Sequence, residues 1–184
     1  GFGEGLMPLT QYRPPSLLPL ANLALIEHTI DGLKRAGVRH VVLAMHHCAP
    51  ALIRHLLYHP CGVDLSFVTE ELPLGTAGAI RHCLPSIRTE RCFVIYGDIF
   101  TQLNPHGMLS AHLHEGVEIS MALAAAAGPS AVDVDQAGRT HSIRGKPADP
   151  PAPGREVSAG IFIFERSALE RLPEHPASLE RDVL

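Results

Sequence analysis

Apolar residues recur along the chain in two alternating periods. Leu25, Ile26, Ile30 and Leu33 share one helical face, with Asn22 placed to cap its start and Gly37 just past its end. Val41 to Met45 is a short apolar run of the kind that forms a fully buried strand. Pro50, at a first-turn position, opens a second helix carrying Leu52, Ile53, Leu56 and Leu57. Val63, Leu65 and Phe67 then alternate as a strand does, Thr76 to Leu84 reads as a short helix, and Cys92 to Tyr96 as another buried strand.

Asn104 and Pro105 start a helix with Met108, Leu109 and Leu113 that Gly116 stops. Glu118 to Ala126 reads as a strand from its place in the alternation, although its alanines would also suit a helix. Asp135 to Gly138 is a turn between two short strands. Pro147, Pro150, Pro151 and Pro153 make Lys146 to Arg155 an irregular loop. Val157 to Phe164 is a strand, Ser167 to Leu172 a helix, and a new helical turn begins near Ser178. Such alternation predicts an α/β fold with a mostly parallel mixed sheet and helices on both faces. No repeat or linker divides the chain, so residues 1–184 are expected to form a single domain.

Composition narrows the functional classes. With 46% hydrophobic and 18% charged residues the chain is globular rather than disordered. A net charge of −4 favours neither nucleic acid nor an anionic membrane as partner. The longest strictly apolar run, Met121 to Ala127, has seven residues and cannot span a bilayer. No basic and apolar leader opens the chain, so a cytoplasmic location is expected. The four cysteines contain no C-x-x-C pair, which points to reduced thiols. Neither His46, His47 and Cys48 with His59 and Cys61, nor His112 with His114, has the spacing of zinc ligands, and no structural metal is expected.

Two places carry candidate chemistry. In Pro73-Leu74-Gly75-Thr76-Ala77-Gly78, glycines flank a threonine at a strand-to-helix junction, where unpaired N–H groups can meet a ligand. Asp98 follows Gly97 just beyond the Cys92 to Tyr96 strand, where α/β sheets form their ligand crevice. One Asp together with phosphate oxygens is a common way to hold Mg²⁺. The same residues would also serve an ordinary helix start and a turn cap. Gly1-Phe2-Gly3-Glu4-Gly5 is a weaker signal, because no strand precedes it to fix its direction.

The ordered blocks GFGEGLMPLT, RPPSLLPLANLALIEH, AGVRHVVLAM, EELPLGTAGAI, CFVIYGD, GKP, SAGIFIF and PASLERDVL give these sites a context. Together they resemble the sugar-1-phosphate nucleotidyltransferase (NDP-sugar pyrophosphorylase) family, nearest to its mannose-1-phosphate guanylyltransferase branch. The resemblance implies a Rossmann-like nucleotidyltransferase domain. There a sugar-1-phosphate attacks the α-phosphate of a nucleoside triphosphate, Mg²⁺ assists, and a nucleotide sugar and pyrophosphate result. It also implies roles for residues. Gly1 and Gly3 match the loop around the nucleotide phosphates, and Gly75, Thr76 and Gly78 the turn that holds base and ribose. Asp98 matches the catalytic metal-binding Asp, and Lys146 the lysine that meets the sugar phosphate.

The departures fall on cationic and sugar-contacting positions. Where the family has loop arginines this chain has Gly5 and Met7, and Pro15 replaces a lysine. Tyr96 and Ser158 stand for asparagines, and Gly145 for a glutamate. The family's first strand and its second metal-binding Asp would lie outside residues 1–184. Arg13 and Arg88 are candidate substitutes for the missing charge. Two readings follow: an impaired transferase, or a non-catalytic regulatory or nucleotide-sugar-binding homologue. Association as a homo- or hetero-oligomer is compatible with either.

Overall fold

The computed structural model describes residues 3–125, 130–145 and 156–184. Pro19–Leu20 (β1) and Leu23–Ala24 (β2) pair as a small hairpin whose two turn residues, Ala21 and Asn22, have φ of 48° and 69°. Asn tolerates this left-handed backbone better than most residues. Asn22 is therefore a turn residue and not the expected cap. The helix that follows, α1 (Leu25–Arg35), is closed at its start by Glu27, whose carboxylate accepts the Ala24 N–H at 2.7 Å.

β3 (His40–Met45), α2 (Ala49–Tyr58) and β4 (Asp64–Thr69) form a strand–helix–strand unit, with β3 and β4 parallel from His40 opposite Asp64 to Met45 opposite Thr69. Ile26 and Ile30 of α1, Leu43 and Met45 of β3, and Leu52 and Leu56 of α2 make one buried core. The periodicity that predicted these helices is thus the face that leaves water.

The order continues with α3 (Gly75–Cys83), β5 (Arg91–Ile95), α4 (Pro105–Glu115), β6 (Ile119–Ala125), β7 (Ser130–Val134) and β8 (Thr140–Gly145). It ends with β9 (Glu156–Glu165), α5 (Arg166–Glu170) and α6 (Leu179–Asp182). As expected, Asn104 caps α4, accepting the His106 N–H at 3.1 Å, and Gly116 ends it with φ 61°. The Lys146 to Arg155 loop lies outside the described residues.

β9 organises the larger sheet. It pairs antiparallel with β6 along one edge, and along the other with β5 over Ile161 to Glu165 and with β7 at Val157. The expectation of a mostly parallel sheet is corrected here: among the described ladders only β3–β4 is parallel. β5 and β6 do run in the same direction, as a strand–helix–strand unit requires, but β9 is inserted between them in the opposite sense. A continuous apolar run such as Ile161 to Phe164 looks alike in either direction. All four of those side chains are essentially removed from solvent, and Phe162 and Phe164 pack with Ala77 of α3, Leu169 of α5 and Leu179 of α6. No ladder joins β3–β4 to this sheet among the described residues.

His112 anchors α4 to it. Its ring is buried, with Nδ1 2.8 Å from Ser120 Oγ and Nε2 3.1 Å from Glu165 Oε1, and Arg91 donates to the same oxygen at 2.7 Å. Arg91 first, then His112, hold the Glu165 carboxyl below its usual range.

Candidate active site

β5 ends at Ile95, and the chain then turns through Tyr96, Gly97 and Asp98. Tyr96 stays on the sheet through its N–H, which donates to the Gly160 carbonyl at 3.0 Å. Gly160 has φ 66°, and a side chain there would run into Ile99 and Tyr96, so the absence of a Cβ makes room for the tyrosine ring. Asp98, two residues on, is exposed and makes no hydrogen bond or ion pair with a described residue. A carboxylate with both oxygens available at a strand exit fits an anchor for Mg²⁺ delivered on phosphate, because hard oxygen ligands suit that ion. No group of three His, Cys, Asp or Glu gathers to hold a metal among the described residues.

The Gly75-Thr76-Ala77-Gly78 turn opens α3 beside this exit. Its glycines are accounted for by packing. A Cβ on Gly75, which has φ 68°, would collide with the Ala177 carbonyl, and one on Gly78 would lie 3.0 Å from the His175 carbonyl oxygen. The turn is clasped by residues about a hundred positions away. Ala77 N–H donates to Ala177 O at 3.0 Å, Ala177 N–H to Leu74 O at 2.9 Å, and Leu179 N–H to Thr76 Oγ1 at 2.6 Å. Glu70 supports the other side by accepting the Leu74 N–H at 2.9 Å.

Tyr96 joins the two motifs. Its hydroxyl donates to Glu180 Oε1 at 2.5 Å and also meets the Thr76 hydroxyl, while Asp98 lies close enough to act on it electrostatically. Burial, then the Glu180 hydrogen bond and charge, push the Tyr96 phenol far above its usual range. Its hydroxyl is consequently a donor at every physiological pH. Because the folded value is the raised one, the related stability is complete below about pH 10, where an unfolded tyrosine begins to ionise, and declines above it. In an ultraviolet titration, the phenol lost in Tyr96→Phe should prove to ionise well above 10; ionisation at about 10 would contradict the buried hydrogen bond.

The N-terminal loop adjoins the β5 exit. Gly3 has φ 65°, Thr10 Oγ donates to its carbonyl at 2.7 Å, and a Cβ there would lie 2.5 Å from Pro15 Cγ. Ser16, next to Pro15, is buried beside Gly97. Gly3, Thr76, Tyr96 and Asp98 therefore belong to one neighbourhood, whereas Gly1 and Lys146 lie outside the described residues. Of the candidate substitute cations, Arg88 is engaged by Asp64 at 2.8 Å, and Arg13 is exposed.

Burial holds the thiols of α3 and β5 in the protonated form, pushing Cys83 up to about 12 and Cys92 up to about 11. No described helix is long and apolar enough to cross a membrane.

The chain is 30% identical over 189 residues to a mannose-1-phosphate guanylyltransferase of Mycobacterium tuberculosis, covering 100% of this chain and 52% of that protein. It is 32% identical over 190 residues to a mannose-1-phosphate guanylyltransferase catalytic subunit beta of Drosophila pseudoobscura pseudoobscura, covering 100% of this chain and 51% of the other. It thus spans about half the length of the curated relatives it matches. The solved structure of HddC from Yersinia pseudotuberculosis superimposes with a TM-score of 0.83 at 21% identity, covering 94% of this chain and 76% of that one. A second HddC structure, complexed with GMP-PN, gives 0.82 at 20% identity, covering 93% and 76%. A UDP-glucose pyrophosphorylase complexed with UDP-glucose gives 0.73 at 16% identity, covering 92% and 75%. With a match to the nucleotidyl transferase family over residues 1–182, this chain belongs to that family.

Proposed function

We propose that the crevice between the α3 turn and the β5 exit binds a nucleoside triphosphate, GTP by similarity to the guanylyltransferases, and receives a hexose-1-phosphate such as mannose-1-phosphate. The observation that carries this reading is the convergence of Thr76, Tyr96 and Asp98 beside the Gly3 loop. In the reaction a sugar-phosphate oxygen bonds to the α-phosphorus as the bond to pyrophosphate breaks, so positioning and charge neutralisation supply the catalysis. Asp98 would hold Mg²⁺, which when bound supplies positive charge at the reacting phosphates. The α3 turn would orient base and ribose, the Gly1 and Gly3 loop would follow the phosphates, and Lys146 would meet the sugar phosphate.

Slow turnover is part of the proposal. Gly5 and Met7 are exposed and carry no charge, and Pro15, at the lysine position, is buried against Gly3. Each missing donor to developing negative charge typically costs about 10²–10³ in rate. Pro15 also favours the second reading, a homologue that binds a nucleotide or nucleotide sugar without turning it over.

Pyrophosphate release with GTP, mannose-1-phosphate and Mg²⁺ tests this. Turnover is expected far below the common range of about 1–10³ s⁻¹, and a rate inside that range would refute the impairment. Gly5→Arg should raise any residual rate, because nothing lies within 4 Å of the position a Cβ would take. Nucleotide binding with no release in either protein would establish the non-catalytic reading instead.

A further inference from the structure

The half-buried Glu180 lies in the PASLERDVL block with no role assigned to it, yet its carboxylate reaches Tyr96, which joins the α3 turn to the β5 exit. One oxygen accepts the Tyr96 hydroxyl at 2.5 Å. The other takes no hydrogen bond or ion pair from any described residue, although an ionised carboxylate has room for about four hydrogen bonds. Its position is fixed from two directions. Ser178 caps the start of α6, and Leu179 N–H donates to Thr76 Oγ1 at 2.6 Å, which sets the backbone of the next residue. Tyr96, wedged over Gly160 and tilted against Phe162 with ring centroids 5.9 Å apart, fixes the carboxylate itself.

We infer that Glu180 is a further binding residue of this crevice, accepting hydrogen bonds from the vicinal hydroxyls of the ligand, and that Tyr96 is its positioning residue. A carboxylate with acceptor capacity to spare selects donors, and a cis-diol offers two side by side. Phosphate oxygens and aromatic faces do not suit it. A carboxylate reading a ribose hydroxyl is a recurring solution in nucleotide sites. This inference rests on the proposed function, since that reading brings a polyhydroxylated ligand to Thr76 and Asp98. The diol has two sources, the ribose of the nucleotide or the ring of the hexose, and both present the same chemistry.

The test is a set of equilibrium affinities, with Mg²⁺, for GTP, 2′-deoxy-GTP, GDP and GDP-mannose. They are measured on the full 184-residue chain and on its Glu180→Gln and Tyr96→Phe variants. If the diol is ribose, the parent prefers GTP over 2′-deoxy-GTP by about tenfold, as expected for one charge-assisted hydrogen bond, and both variants lose the preference. If the diol belongs to the hexose, GTP and 2′-deoxy-GTP bind alike, but the affinity of GDP-mannose relative to GDP falls about tenfold in both variants. Ratios are read because a merely structural loss weakens all four ligands together and leaves them unchanged. Unchanged ratios in variants that still bind nucleotide would overturn the roles of Glu180 and Tyr96 while sparing the proposed function. Failure of the parent to bind any of the four would overturn both. Tyr96→Phe keeps the ring on Gly160, so it provides the answer should Glu180→Gln fail to fold.

Discussion

Gly75→Ala is expected to destabilise the chain by about 2–4 kcal/mol and to weaken nucleotide binding with it. An alanine at φ 68° costs about 1–2 kcal/mol for the left-handed backbone alone. Its methyl group would meet the Ala177 carbonyl head on, with the carbonyl carbon 2.8 Å away, and neither partner is a flexible side chain. Relief requires the clasp to open. The clasp consists of the Ala77–Ala177 and Ala177–Leu74 backbone hydrogen bonds and the Leu179–Thr76 bond, each contributing about 0.5–1.5 kcal/mol. Opening it would also lift Leu179 out of the core it shares with Phe162 and Phe164. Urea unfolding measures the loss as a lowered midpoint. Gly5→Ala is the control, since its added methyl meets nothing within 4 Å, and should be nearly neutral. A Gly75→Ala protein with the midpoint of the parent would show that the turn is not held by the C-terminal segment.

The same clasp explains what the sequence could and could not reveal. Features set by neighbours within a few residues were legible: the Asn104 and Gly116 ends of α4, and the apolar stripes of α1 and α2. Asn22 misled because a residue that suits a helix cap also suits a left-handed hairpin turn, and local pattern does not choose between them. Sheet direction was not legible either. β9 arrives from the far end of the chain and inserts between β5 and β6, a choice made by tertiary pairing. Gly75, Thr76 and Gly78 stood out as a ligand turn, but the residues that press on them, His175 to Leu179, are about a hundred positions later. Glu180 lies within the PASLERDVL block, but nothing local gave it a role: an acidic residue in the first turn of a short helix is explained by the helix dipole alone. The one available clue was Tyr96 itself: a tyrosine at a buried strand end needs a partner for its hydroxyl.

Asp98 is the residue on which the nucleotide reading depends most. Exposed and without a partner among the described residues, it adds little to stability, so Asp98→Asn should fold as the parent does. Its effect should appear only where a metal ion links the carboxylate to phosphate. Partners that merely orient a metal's ligands are worth about 10–100-fold in affinity, so loss of a direct ligand should cost about a hundredfold. The decisive measurement is GTP binding to the parent and to Asp98→Asn, in Mg²⁺ and then in EDTA. In Mg²⁺ the variant should bind about a hundredfold more weakly. In EDTA it should bind as well as the parent or better, because a carboxylate without a metal repels the triphosphate. Equal affinities in Mg²⁺, or no GTP binding by the parent, would contradict a metal–nucleotide site at the β5 exit.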